Sequence, residues 1–277
     1  MSEPLRPGLY IVATPIGNLG DLSPRAADVL ARSALILAED KRVSARLLVR
    51  SGAKVPMRTY NDHSDEQDRA AVVARLGVEA IALVSDAGTP LISDPGYKLV
   101  RDARAAGHEV VTIPGPCAAV AALTLAGLPT DRFLFLGFLP SKEKARADAI
   151  EEVASLRATL VLFESGPRLA ASLSALHRGL GDREAAVARE LTKLHEECVT
   201  GSLAELAERY EDAPPRGEIV IVVAPPSPPA AASAEELDSA LLEAMATESP
   251  SRAAATVAQK LGIKRKLAYE RALQLAR

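Results

Sequence analysis

Four short aliphatic runs, GLYIVA (residues 8–13), ALILAE (34–39), AIALVS (80–85) and HEVVTI (108–113), recur through the first half of the chain with helical patterning between them. Runs of this kind read as strands buried on both faces, and such strands need helices to cover them. The intervening segments SPRAADVLARS, KRVSARLLVRSG, SDEQDRAAVVARLG and SDPGYKLVRDARAAG carry apolar residues at helical spacing. The first and last open on Ser23-Pro24 and Asp94-Pro95, each read as an N-cap followed by Pro in the first turn. Alternation of strand and helix predicts an α/β fold with mostly parallel strands. The apolar helix CAAVAALTLAG closes this half.

A second cycle begins near Arg132. RFLFLGFLP, ATLVLFE and GEIVIVVAP read as strands, and SKEKARADAIEEVASL, PRLAASLSALHRGLG and SLAELAERY as helices. AAVARELTKLHEECVTG reads as strand, loop and hairpin strand. The predicted organisation is two α/β lobes, 1–129 and 130–224, a Pro- and Ala-rich linker at 225–234, and a helical tail at 235–277. A length of 277 residues gives each lobe enough chain for a core. Within the tail, LGIK joins two helices in an arrangement like a helix-turn-helix.

Charge is distributed unevenly. The net value is -3, yet residues 252–277 hold seven basic side chains, among them Lys260, Lys264, Arg265 and Lys266, against one acid, Glu270. A basic segment on an acidic body suits a polyanionic partner; on charge alone a solvated helix face explains it equally well. Aromatic residues make up 3% of the chain and Trp is absent, which argues against a stacking platform for exposed bases. Cys117 and Cys198 are far apart and outside any CxxC pair, so no disulfide framework and no metal site is expected. The start MSEPLRPGLY lacks the apolar core of a signal peptide, and no run approaches the roughly 18 apolar residues of a membrane span, so a cytoplasmic location is expected.

Three Gly- and Pro-rich turns follow predicted strands: TPIGNLG, SDAGTPLISDPG and IPGPCAAV. Turns beyond the carboxyl ends of strands are where open α/β sheets bind ligands. The first lacks the G-x-G-x-x-G of a dinucleotide fold, and no Gly-Lys-Ser/Thr occurs anywhere, which removes the main support for nucleotide hydrolysis. Little positive charge accompanies these turns, so they suit a neutral or zwitterionic ligand with a nucleoside part. In the second turn Asp94 reads as a helix cap and Asp86 as a brace for the turn or a contact for a ligand, not as a catalytic pair.

The segments VATPIGNLGDLS, AEDKRVSARLL, NDHSDEQ, VSDAGTPLISDPG, IPGPCA, LFESGPRL, RELTKLHEE and RGEIVIVV, in that order, resemble the ribosomal RNA small subunit methyltransferase I subfamily of the tetrapyrrole methylase superfamily. The resemblance covers about residues 8–224, and the tail is similar to that subfamily's C-terminal extension. It implies a homodimeric enzyme that takes a methyl group from S-adenosyl-L-methionine, held in the cleft between two α/β lobes, to the 2′-hydroxyl of a decoding-region cytidine in 16S rRNA of the small ribosomal subunit. Carried over, its donor pocket matches Pro15 and Ile16; Gly88, Thr89, Pro90 and Ile92; Cys117 and Ala118; and Phe163, Ala188 and Gly217. Several tetrapyrrole-modifying relatives have Gly-Asp-Pro where this chain has Gly88-Thr89-Pro90, a departure that weighs against a tetrapyrrole acceptor and leaves polar contacts to Thr89 and the backbone. A tetrapyrrole or protein acceptor, and a nucleic-acid-binding ligand sensor without catalysis, are the alternatives.

A sulfonium methyl is already activated, so such an enzyme needs alignment and help for a weakly acidic nucleophile. Glu190 is the candidate proton acceptor and Lys193 the candidate partner of an alkoxide or phosphate, with a surface ion-pair cluster as the other reading. Arg42, Arg189 and His63 are candidate RNA contacts. For His63 the preferred reading is a helix start capped by Asp62 or Ser64. A magnesium site at Glu39 and Asp40 is disfavoured because neighbouring side chains at a strand end diverge.

Overall fold

A computed structural model describes residues 4–61, 66–227 and 233–276. The chain forms two compact units, 1–225 and 226–277. The first part of the larger unit runs β1 (Gly8–Val12), α1 (Pro24–Arg32), β2 (Leu35–Ala38), α2 (Lys41–Ser51), β3 (Met57–Thr59), α3 (Glu66–Arg75), β4 (Ala80–Val84), α4 (Tyr97–Ala105), β5 (Val110–Ile113) and α5 (Ala118–Ala126). It continues with β6 (Phe133–Phe138), α6 (Glu143–Val153), β7 (Thr159–Ser165), α7 (Leu169–Leu180), β8 (Glu184–Arg189), β9 (Glu197–Ser202), α8 (Leu203–Arg209) and β10 (Glu218–Val223).

The first sheet has the order β3-β2-β4-β1-β5 with every pairing parallel. Strand periodicity sends Tyr10 and Val12 to a face covered by α1 and α2, and Leu9 and Ile11 to the opposite face, covered by α3 and α4. From β1 the chain crosses to β2 on one side; from β4 it crosses to β5 on the other. The adjacent strands β1 and β4 thus have connections that leave in opposite directions, which makes their carboxyl ends the switch point beside which open α/β sheets take ligands in a crevice.

The second sheet, β6-β7-β10-β8-β9, is mixed: β6 and β7 are parallel, and the remaining pairings are antiparallel. Helices α6, α7 and α8 cover one face. The other face takes α5, whose Ala119, Ala122, Leu123 and Ala126 pack on Val161, Ala186, Ala188, Val220 and Val222. Thus the helix that ends the first half in sequence contributes its core to the second sheet.

Two local readings differ from the sequence expectation. Strand β3 carries no aliphatic run, being a half-buried edge strand of three residues, MRT. Helix α4 starts at Tyr97, capped by Gly96 at φ 130°, so Asp94 is not its N-cap. The chain takes left-handed conformations at Leu91, Ser93 and Gly96 before the helix begins, which places Asp94 in the loop. At α1 the Ser-Pro signature holds: the Ser23 hydroxyl accepts from the Ala26 N–H, with Pro24 in the first turn.

The smaller unit consists of α9 (Ala234–Met245), α10 (Pro250–Leu261) and α11 (Arg265–Leu275). Its core is Leu237, Leu241, Ala254, Val257, Ala268 and Ala272. Gly262 ends α10 in the left-handed conformation that permits the tight turn into α11. Among the described residues no helix is long and apolar enough to cross a membrane.

Candidate active site

The crevice is built by backbone pairing. The Thr14 N–H donates to the Gly88 carbonyl at 2.8 Å and the Gly88 N–H returns a bond to the Thr14 carbonyl at 3.1 Å. The Thr89 hydroxyl donates to the Pro116 carbonyl at 3.0 Å, so the loops after β1, β4 and β5 are tied into one wall. This bond occupies the hydroxyl proton that the motif alone would offer to a ligand, and leaves the oxygen as an acceptor. Between this wall and the ends of β7 and β10 lies a cavity of about 320 Å³.

Ile16, Gly88, Thr89, Ile92, Cys117 and Ala118 line the cavity from the first sheet's loops, and Phe163 and Gly217 line it from the second sheet. Pro15 and Pro90 are buried in their turns and stand behind the lining. Ala188 is fully buried against α5, because its side chain faces the core of the second sheet. A Cβ at Gly88, where φ is +79°, would meet Ile16 Cγ2 at 3.2 Å, so the wall depends on glycine for its shape.

The non-glycine residues with positive φ among those described are Leu91, Ser93, Glu190 and Thr192. Ser93 and Leu191 line the cavity, so both loops that carry these conformations border it. Left-handed backbone costs energy for side-chain-bearing residues and concentrates where a site must hold a particular shape.

The sequence reads Asp94 as a helix cap and does not single out Glu164, yet both line the cavity. Burial pushes the Asp94 carboxyl up from its ordinary range; a Ser85 hydrogen bond opposes this and the Asp86 charge adds to it. Asp86 accepts from the Asp40 N–H at 3.0 Å and so braces the segment leading into α2. Glu164 is buried, accepting from the Ser165 N–H at 2.8 Å and the Ser172 hydroxyl at 2.5 Å, with Arg168 Nε at 3.4 Å.

Glu190 and Lys193 stand beside the cavity and outside its lining. Lys193 Nζ donates to Glu190 Oε1 at 2.8 Å and to Glu218 Oε2 at 2.9 Å, and the Glu218 N–H reaches Glu190 Oε1 at 3.1 Å. The Lys193 bond holds the Glu190 carboxyl below its ordinary range against the opposing effect of burial. Burial disfavours the charge of Lys193, but its two glutamate partners outweigh this and raise its pKa. A carboxylate held so firmly in its charged form is a weak proton acceptor. Arg189 is likewise engaged, with Nη2 at 3.1 Å from Glu197 and Nη1 at 3.2 Å from the Arg216 carbonyl.

Residues 8–207 match the family described as Tetrapyrrole (Corrin/Porphyrin) Methylases, and residues 231–276 match the RsmI C-terminal HTH domain. The ribosomal RNA small subunit methyltransferase I of Erythrobacter litoralis is 54% identical over 276 residues, covering 99% of this chain and 97% of that protein. Its namesake from Pseudomonas aeruginosa is 43% identical, with 96% of each chain covered. The chain belongs to the ribosomal RNA small subunit methyltransferase I family of tetrapyrrole methylases. Diphthine synthase shares the fold at a TM-score of 0.61 and 14% identity, over 78% of this chain and 89% of the other. Uroporphyrin-III C-methyltransferase from Thermus thermophilus, solved with S-adenosyl homocysteine, does so at 0.54 and 22%, over 78% and 96%.

In this tetrapyrrole methylase the described candidate RNA contacts other than Arg189 fall in two places. Arg42 is 91% exposed at the start of α2 and pairs with Asp40 at 2.7 Å, which lowers the Asp40 pKa to about 2. Lys260 ends α10, while Lys264, Arg265 and Lys266 surround the start of α11, all exposed. His63 lies outside the described residues, as do the neighbouring Asp62 and Ser64.

Proposed function

We propose that the protein is an S-adenosyl-L-methionine-dependent methyltransferase of the cytoplasm that methylates the ribose 2′-hydroxyl of a decoding-region cytidine in 16S rRNA, acting as a homodimer on the small ribosomal subunit. Family membership and the two-lobed cleft support this reading. When bound, the donor supplies a methyl group already activated on a sulfonium, which departs as a neutral thioether. The cavity volume lies at the lower end of the roughly 300–1,000 Å³ usual for small-molecule sites. The largely apolar lining, with the Gly88 shelf on one side and Phe163 on the other, fits a compact adenosyl group.

The observation that carries the chemical assignment is Asp94. It lines the cavity, is half-buried, and its carboxyl binds a proton more tightly than that of an ordinary aspartate. Asp94 therefore accepts the proton of the 2′-hydroxyl as the new carbon–oxygen bond forms, in place of the Glu190 expected from sequence. Glu190, Lys193 and Glu218 instead fix the cavity edge, and Lys193 retains enough exposure to meet an RNA phosphate at the rim. Lys260, Lys264, Arg265 and Lys266 supply further phosphate contacts.

The deciding experiment incubates purified protein and methyl-labelled donor with small subunits from a strain lacking the corresponding enzyme. Label should appear on one cytidine ribose. No transfer to such subunits would refute the assignment.

A further inference from the structure

The chain has few aromatic side chains, yet three of its four phenylalanines form one cluster, of which Phe138 and Phe163 line the cavity and Phe135 backs Phe163. The Phe135 and Phe163 rings meet edge to face with centroids 4.9 Å apart, and Phe138 meets Phe163 at 5.6 Å. Simple strand alternation would put Phe135 and Phe138 on opposite faces of β6. A register shift between Phe135 and Gly137 prevents this: Phe135 pairs with Val161, and Phe138 with Phe163, two residues on. The shift brings both β6 rings to the face on which Phe163 lies. Gly137 makes the shift possible at φ +63°, where an added Cβ would stand 3.1 Å from Ser93 Oγ in the facing loop.

The result is a ring with a firm support and an open side. Phe138 lines the cavity and is nevertheless 55% exposed, more than Ile92 at 39%. Donor-sized ligands have the better-buried inner wall, Ile16, Thr89 and Val220, available to them. A supported, exposed aromatic face at the mouth of a nucleoside-sized cavity is suited to stacking a single unpaired base.

We propose that Phe138 is the stacking platform for the base of the acceptor nucleotide, splayed out of the RNA so that its ribose reaches the cavity. This rests on the RNA methyltransferase reading above. It assigns Phe138 to substrate positioning and leaves donor binding to the inner wall. The sparse aromatic content, which argued against a base platform, is concentrated where one ring suffices.

The test compares Phe138→Ala, Phe138→Leu and Phe138→Tyr with wild type, measuring single-turnover methyl transfer against small-subunit concentration and donor affinity by calorimetry. Stacking predicts that Ala and Leu each raise the half-saturating subunit concentration about tenfold or more, that Tyr restores it, and that donor affinity is unchanged in all three. Equal transfer by Ala and wild type would overturn the platform. So would a parallel loss of donor affinity, which would assign the ring to the donor. Recovery by Leu as complete as by Tyr would reduce the ring to apolar bulk and also overturn it. If wild type itself transfers no methyl to small subunits, the underlying function fails instead, an outcome separate from any ranking of the variants.

Discussion

Lys193 lies directly over Gly17. A Cβ at position 17 would stand 2.4 Å from Lys193 Cγ and 3.0 Å from the Leu191 carbonyl oxygen. The loop after β1 thus supports the segment after β8, and the ammonium at the far end of the same side chain holds Glu190 and Glu218 at the cavity edge. Gly17→Ala must separate these loops, since one of the obstructing atoms is backbone. Overpacking of this kind costs about 1–3 kcal/mol. The variant should melt lower than wild type and transfer methyl more slowly. A melting curve and rate both unchanged would show that the two loops part freely.

Asp94 predicts an acid limb in the pH–rate profile. Transfer needs the carboxylate form, so the rate should rise with pH through an apparent pKa above the ordinary aspartate range. Asp94→Asn should abolish that limb and most of the activity. Glu190→Gln should leave it in place, because the Glu190 pKa is lowered and its titration falls at more acid pH. The stability effect has a determined sign. A carboxyl with a raised folded-state pKa stabilises the fold below its unfolded value and loses that contribution as pH rises through the folded value. At neutral pH Asp94→Asn should therefore melt higher than wild type while transferring less. A lower melting point would mean that the charged form is itself held favourably.

The two carboxylates illustrate what sequence patterning conveys and what it leaves out. Aliphatic runs locate β1, β2 and β4 because burial on both faces leaves a compositional trace, and β5, an edge strand only partly buried, keeps enough of one in Val110, Val111 and Ile113. Edge strand β3 leaves none, since MRT needs only backbone pairing. The SDPG segment matches a capped helix start residue for residue, but Gly96 delays the helix and moves Asp94 into the cavity wall. Similarly, the bulge at Gly137 reverses the face expected for Phe138 by alternation. The ligand-bearing loops were legible through their Gly and Pro content. Which charged side chain faces the cavity depends on burial and on partners such as Lys193, brought in from distant sequence.

Glu164 offers a separate test of the wall. It is a buried carboxylate whose Oε2 receives the Ser172 hydroxyl at 2.5 Å from α7. Ser172→Ala removes a donor without removing the buried charge, a change that costs about 1–3 kcal/mol. Chemical denaturation should show a lower midpoint with an unchanged slope. The double variant Ser172→Ala with Glu164→Gln should regain part of the loss, and failure to do so would mean that Ser172 acts through packing.

The helical unit provides the last prediction, because its charge is segregated. Lys264, Arg265 and Lys266 cluster at the start of α11, whereas Arg271 is drawn back to α9 by Asp238, with 2.5 Å between Nη2 and Oδ2. Lys266 meets Glu270 only at 4.0 Å and Arg265 meets Ser251 only at 3.5 Å, so these three exposed side chains remain available, with Lys260, to neutralise phosphates. For every phosphate left without its cation, the dependence of log affinity on log salt should flatten by about 0.7 to 0.9. Replacing all three by Ala should reduce the slope for small-subunit binding by about 2 to 3 while preserving helix content, since Ala is a good helix former. Donor affinity should remain at the wild-type value, because the cavity lies within the other unit. Arg271→Ala is the control: it should weaken the α9–α11 pairing and barely change the salt slope. Equal slopes for wild type and the triple variant would remove this cluster from the RNA interface.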